Sequence, residues 1–269
     1  MRDVDPIKRN NVTVIGNPDA DRSMIFIHGF GTDQTAWREV VETFLRDFRV
    51  ILFDNVGAGR SMPEAFVQHR YLNLHSYAAD LLEICDALRL KNTIVVGHSV
   101  GAMIGVLAAI KRPEVFSKLV LIGASPRYVD DGEYRGGVSK DDLNALYRAV
   151  AGNYFDWADA FAPLAMANAD RPSLAVDFAE TIKTIPAQSA LTVLCSIFQS
   201  DHRADLDQLD KPTLLIQARE DIAVPLAVAE YLHRHIKESR LSVINATGHL
   251  PHISAPAEVI AAMHDFVYN

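Results

Sequence analysis

The chain is poor in cysteine, with two in 269 residues, Cys85 and Cys195. Both lie in apolar stretches with helix-like spacing, so core thiols in a reducing compartment are expected rather than a disulfide framework. Positive charge is also in short supply. Lys and Arg number 26 against 34 Asp and Glu, a net charge of −8. That balance argues against nucleic-acid or anionic-membrane partners. No apolar run approaches the ~20 residues that span a bilayer. The opening MRDVDPIKRNN lacks the apolar segment of a signal peptide, so a cytoplasmic location is expected. Neither His-Glu-x-x-His nor Cys-x-x-Cys occurs, and no metal is expected. Gly57-x-Gly59 follows an apolar run, but Met62 stands where the third small residue of a dinucleotide cradle belongs. No cofactor is expected on that ground. There is no repeat and no low-complexity tract.

What the chain does have is alternation. With 49% hydrophobic residues it can build one large α/β domain, or a core with an insertion. Strands are predicted at 11–16, 23–30, 49–54, 93–97, 118–125, 212–218 and 240–246. Helices are predicted at 33–48, 74–89, 100–111, 225–237 and 256–268. Strands alternating with helices predict a mostly parallel, doubly wound sheet. The pattern breaks near residue 126 and resumes near 206, with only helical periodicity between. The expected organisation is therefore a core in two parts, 1–125 and 206–269, around an inserted helical cap, 126–205.

At the end of the fourth predicted strand stands Gly97-His98-Ser99-Val100-Gly101, followed at once by a helix-like run. This is G-x-S-x-G in the strand-to-helix setting that gives it meaning. A serine at the tip of such a turn projects its oxygen away from the sheet, with a strained backbone of positive φ. Side chains at the flanking positions would collide with neighbouring backbone, which favours glycine there. Ala102, Gly105, Ala108 and Ala109 keep the helix thin enough to lie close on the sheet.

A serine hydroxyl needs a base, and on this architecture the order along the chain is Ser, acid, His. Of ten histidines, His249 and His252 follow the last strand. His249, after Gly248, is placed to turn back over the sheet edge, and His252 reads as a surface or supporting residue. His233 and His235 read as solvated. The acid comes from Glu220 or Asp221; Asp221 sits deeper in its loop, ahead of an apolar triplet, and Glu220 reads as its solvated neighbour. Asp201 and Asp205 read as surface or capping residues. The oxyanion hole needs two donors. The backbone amides of Val100, after the nucleophile, and of Phe30, in the His28-Gly29-Phe30-Gly31 loop, are the candidates. His28 reads as a support for that loop. A serine at residue 99 argues for acyl transfer rather than carboxylate-nucleophile chemistry.

The stretches HGFGTDQTAW, VILFDNVGAGRS, VGHSVGAMIGVLA, SPRYVDD, FQSDHRADL and EDIAVPLAVAEYLH resemble one subfamily of the α/β-hydrolases. It holds the plant strigolactone and karrikin receptors and the bacterial stress regulator RsbQ. The resemblance runs from about residue 10 to the C-terminus, with SDHR leaning to the bacterial side. It implies an eight-stranded type of sheet and a V-shaped cap of four helices. It also implies a Ser99-His249-Asp221 triad and an apolar pocket with Phe30, Tyr128, Trp157, Phe161, Phe178 and Phe198 in its wall. From the residues alone, these aromatics read equally as core packing. The implied ligand is a small hydrophobic ester or butenolide-type lactone. The implied partner, if the chain signals, is a regulatory protein, a phosphatase in the RsbQ-like case. Val138 stands where a phenylalanine is expected at the pocket mouth, and Gly101 where the plant receptors tend to carry serine.

Overall fold

The computed structural model describes residues 4–269. Seven strands form one sheet: β1 (Thr13–Gly16), β2 (Ser23–Ile27), β3 (Arg49–Leu52), β4 (Thr93–His98), β5 (Phe116–Ile122), β6 (Thr213–Glu220) and β7 (Ser239–Thr247). Their spatial order is β1-β3-β2-β4-β5-β6-β7. β1 is antiparallel to β3, and every other pairing is parallel. The resemblance implies one strand more. The chain ahead of β1 instead turns as the short helix α1 (Pro6–Arg9), where Pro6 has no N–H to give a ladder.

β2 is buried at every residue because helices cover both faces of the sheet. Ile25, Ile27, Val95, Leu119, Leu121 and Leu215 point into one core layer. Their neighbours Met24, Phe26, Ile94, Val96, Val120, Ile122 and Ile216 point into the other. This is the two-residue period of a pleated strand. Each such side chain contributes about 1.5–3 kcal/mol by leaving water. α3 (Leu74–Ala87), α4 (Val100–Lys111) and α9 (Leu226–His235) cover the first layer. α2 (Arg38–Val41) and α11 (Pro256–Tyr268) cover the second, with the four-residue α10 (Pro251–Ser254) between β7 and α11.

The single helix predicted over 33–48 is broken. A 3₁₀ turn (Gln34–Trp37), α2 and a second 3₁₀ turn (Glu42–Phe44) follow one another. Apolar residues three and four apart suit either pitch, and Trp37, Phe44 and Phe48, all fully buried, set the winding by packing on the sheet. Cys85 is buried on α3, and Cys195 is half-buried.

Between β5 and β6 lie four helices: α5 (Lys140–Gly152), α6 (Tyr154–Met166), α7 (Pro172–Lys183) and α8 (Ala187–Phe198). They share a small core of their own, built on Tyr154, Ala158, Ala162, Phe178, Ile182 and Leu194. The two ends of this segment are pinned together. Arg127 reaches Asp201 at 2.7 Å, and Arg203 bonds both Asp201 (2.7 Å) and Asp131 (2.6 Å). The His202 N–H donates to the Pro126 carbonyl at 2.9 Å. Among the described residues no helix is long and apolar enough to cross a membrane.

Candidate active site

Ser99 stands at the joint between β4 and α4 with φ +54° and ψ −124°, a region that side chains other than glycine's rarely occupy. The flanking glycines have a steric cause. A Cβ on Gly97 would lie 2.6 Å from the Ala102 Cα, and one on Gly101 2.4 Å from the Ile27 carbonyl oxygen. The chain can turn this sharply, and α4 can lie this close to β2, only without them. Ten of the twelve residues of α4 are buried.

The loops after β6 and β7 bring two more groups to the same end of the sheet. The Ser99 Oγ lies 2.9 Å from His249 Nε2, and His249 Nδ1 lies 2.9 Å from Asp221 Oδ2 and 3.1 Å from Oδ1. These contacts fix the tautomer: Nδ1–H donates to the carboxylate, and Nε2 accepts from the serine hydroxyl. Asp221 also accepts the Ala223 and Val224 amides, at 2.8 and 3.0 Å. Its side chain is 1% exposed. Burial alone would raise its pKa. The adjoining His249 and the donated hydrogen bonds outweigh that and hold the carboxyl below its ordinary value. Glu220 is exposed, as are His233 and His235.

The His249 backbone is held from two sides. Its N–H donates to the Ala165 carbonyl on α6 at 2.7 Å, and its carbonyl accepts from His98 Nε2 at 2.7 Å. The four-helix segment thus helps to set where this imidazole stands. Gly248 takes φ +97°, and a Cβ there would meet the Met166 carbonyl oxygen at 2.1 Å.

His252 is 0% exposed, which corrects the reading of it as a surface residue. Its ring lies 4.5 Å from Trp37 and 4.2 Å from His98, centroid to centroid. His28 supports its loop as expected: Nε2 accepts the Asn55 N–H at 2.9 Å, and Nδ1 bonds the Gly29 carbonyl at 2.8 Å. Among the described residues, neither the Phe30 nor the Val100 N–H makes a backbone hydrogen bond outside the helices and strands.

A cavity opens over Ser99 and His249. Phe30, Tyr128, Trp157, Phe161, Phe178 and Phe198 all line it. Trp157 stacks on Phe161 (5.0 Å, 10°), and Tyr128 packs against Phe198 (5.3 Å). Leu146, Leu194, Ile197 and Leu250 complete the apolar wall. The helical spacing of Leu194, Ile197 and Phe198 was the signal available for two of them. Val138 is not in that wall; it forms a bridge with Val129 and packs into the main core. The Tyr128 hydroxyl lies 3.2 Å from Ser99 Oγ. Since the serine donates to His249, Tyr128 donates to the serine. Burial raises the phenol's pKa, so it is a neutral donor.

Comparison with known proteins follows the same lines. A family model described as alpha/beta hydrolase fold matches residues 22–256. A probable esterase of rice, Oryza sativa subsp. japonica, is 44% identical over 94% of both chains. The Karrikin insensitive 2 receptor CA of Petunia hybrida is 42% identical, over 97% of this chain and 96% of its own. A strigolactone esterase of Arabidopsis thaliana is 42% identical, over 93% and 92%. A solved hydrolase from Oleispira antarctica superposes with a TM-score of 0.94 at 33% identity, covering 98% of this chain and 97% of that one. Sequence likeness along nearly the whole length and a shared three-dimensional course lead to one conclusion: the chain belongs to the α/β-hydrolase fold family.

Proposed function

We propose that this protein is a serine hydrolase of small hydrophobic esters or butenolide-type lactones, with Ser99, His249 and Asp221 as its triad. The observation that carries the reading is the unbroken chain of contacts from Ser99 Oγ through His249 to Asp221, set beneath an aromatic cavity. In the first step Ser99 Oγ bonds to the carbonyl carbon while His249 Nε2 takes its proton. Asp221 keeps the imidazole in the required tautomer and stabilises its charged form. The Phe30 and Val100 amides receive the oxyanion. Collapse breaks the ester C–O bond, and His249 returns the proton to the departing oxygen, which in a lactone stays tethered. Water then attacks the acyl-serine with His249 again as base. Residues 126–205 act as a cap that keeps bulk water from these steps.

The test is hydrolysis of p-nitrophenyl acetate. A general base is worth roughly 10²–10⁴-fold and one oxyanion donor about 10²–10³-fold. Ser99→Ala is therefore expected to abolish measurable turnover while the circular dichroism spectrum stays native. Undiminished turnover would refute the reading.

A second reading is favoured by the relatives named as receptors. In it the same site hydrolyses its ligand slowly, and the cap changes position to engage a protein partner. This requires a ligand that binds two cap states unequally. The partner would be a phosphatase if the chain is RsbQ-like, and both roles fit a cytoplasmic protein. Single-turnover kinetics, with a mass shift on Ser99 or His249 and ligand-dependent capture of the partner, distinguish this reading. Rapid multiple turnover of the same ligand without capture favours the plain enzyme.

A further inference from the structure

A second compartment is lined in part by the loop that carries Phe30. Phe30 lines both compartments. Val100, the residue after the nucleophile, lines the second one, and on α8 Leu194 faces the first while Val193 faces the second. One phenyl ring and one helical step therefore divide two apolar spaces that meet at the proposed oxyanion donors. Phe30 sits between Gly29 and Gly31, where a Cβ would meet His98 Nδ1 at 2.6 Å and Ile182 Cγ1 at 2.7 Å. Phe30 therefore stands in its loop with no side chain on either of its sequence neighbours.

The second compartment carries one polar feature without a role. Tyr77, from α3, lines it and is 4% exposed. Its hydroxyl is buried with no hydrogen-bond partner. A buried hydroxyl left unpaired is unfavourable, and an acceptor brought into the compartment would relieve that. His28 and Asn55 also line it but are bonded to each other, and the remaining side chains, including Val56, Leu74, Ile104 and Ile185, are apolar.

We propose that this compartment is a second substrate subsite, taking a short apolar group that carries one hydrogen-bond acceptor for Tyr77. The favoured substrate is then an ester with a sizeable apolar group on each side of its carboxyl, one in each compartment. The Phe30 ring turns aside to join them. The proposal rests on the serine-hydrolase reading above, and its test is built to fail separately from it.

The measurement is kcat/KM for three p-nitrophenyl esters: the acetate, the hexanoate and the 4-methoxybutanoate, the last being isosteric with the hexanoate but bearing an ether oxygen. Val193→Phe fills the subsite and is expected to lower the hexanoate-to-acetate ratio at least about tenfold, the scale on which a pocket rejects excess methylenes. Ala58→Val, a smaller intrusion from another lining residue, is expected to lower it less, and serves if Val193→Phe does not fold. Tyr77→Phe is expected to lower the 4-methoxybutanoate-to-hexanoate ratio about threefold or more, the yield of one neutral hydrogen bond. Ratios unchanged in the folded variants, with turnover still dependent on Ser99, overturn the subsite and leave the hydrolase intact. Turnover that survives Ser99→Ala overturns the hydrolase reading itself.

Discussion

Ser99 is the residue on which conformation and proposed chemistry conflict most directly. Its φ of +54° costs on the order of 1–3 kcal/mol for a residue with a Cβ, and the surrounding backbone compels it. Its oxygen is then presented to His249 instead of closing a turn. Removing the Cβ removes the strain, so Ser99→Gly is expected to be inactive yet to melt above Ser99→Ala, by about 2–4 °C for each kcal/mol released. Paired thermal melts measure this; a Ser99→Gly protein that melts below Ser99→Ala would mean that the turn is unstrained. The serine, the histidine after the last strand and the acid after the sixth were all legible in the sequence, because strand ends and motif spacing determine them. The Tyr128 hydroxyl beside Ser99 and the burial of His252 were not. Tyr128 read only as a wall residue, and His252 is enclosed by Trp37 and His98, far from it in sequence.

At the level of elements, the site depends on how closely α4 lies against the sheet. Gly97, the next-to-last residue of β4, faces the first turn of α4, and every near neighbour of its missing Cβ is backbone. Backbone cannot rotate away. Gly97→Ala is accordingly expected to cost about 1–3 kcal/mol, the usual range for overpacking, and to displace Ser99 from His249. It should lower both the midpoint of urea unfolding and kcat. A variant with unchanged kcat and midpoint would show that α4 can retreat at no cost. The 100–111 helix was readable to the residue, since a glycine-rich start and Pro113 bound it. The 33–48 stretch was not, because apolar spacing does not distinguish a 3₁₀ turn from an α turn. The antiparallel pairing of β1 with β3 was equally hidden, since a strand's direction leaves no trace in its own residues.

For the whole molecule, a consequence follows from the histidines sealed beneath the site. Burial, together with neighbouring histidines, holds His98 well below its ordinary pKa and pushes His252 down to about 3; burial also lowers His28. In the unfolded chain each returns to about 6.5. The unfolded state therefore binds protons that the folded state refuses. The stability these groups allow is complete above about pH 6.5 and is lost as pH falls from there toward 3. For His252 the loss approaches about 1.4 kcal/mol per pH unit, or about 2 kcal/mol by pH 5, and His98 and His28 act in the same direction. Urea midpoints at pH 7.5 and 5.0 are expected to differ accordingly, and His252→Gln to narrow the gap; equal midpoints would place these rings in contact with water.

The pinning of Pro126, Arg127 and Asp131 to Asp201, His202 and Arg203 bears on what such a scaffold can become. The two ends of the four-helix segment lie side by side, so the strands carry no record of how much chain lies between them. Any replacement whose termini approach as closely can be grafted there without disturbing the register beneath. The upper half of the molecule is thereby free to diversify while the lower half stays fixed.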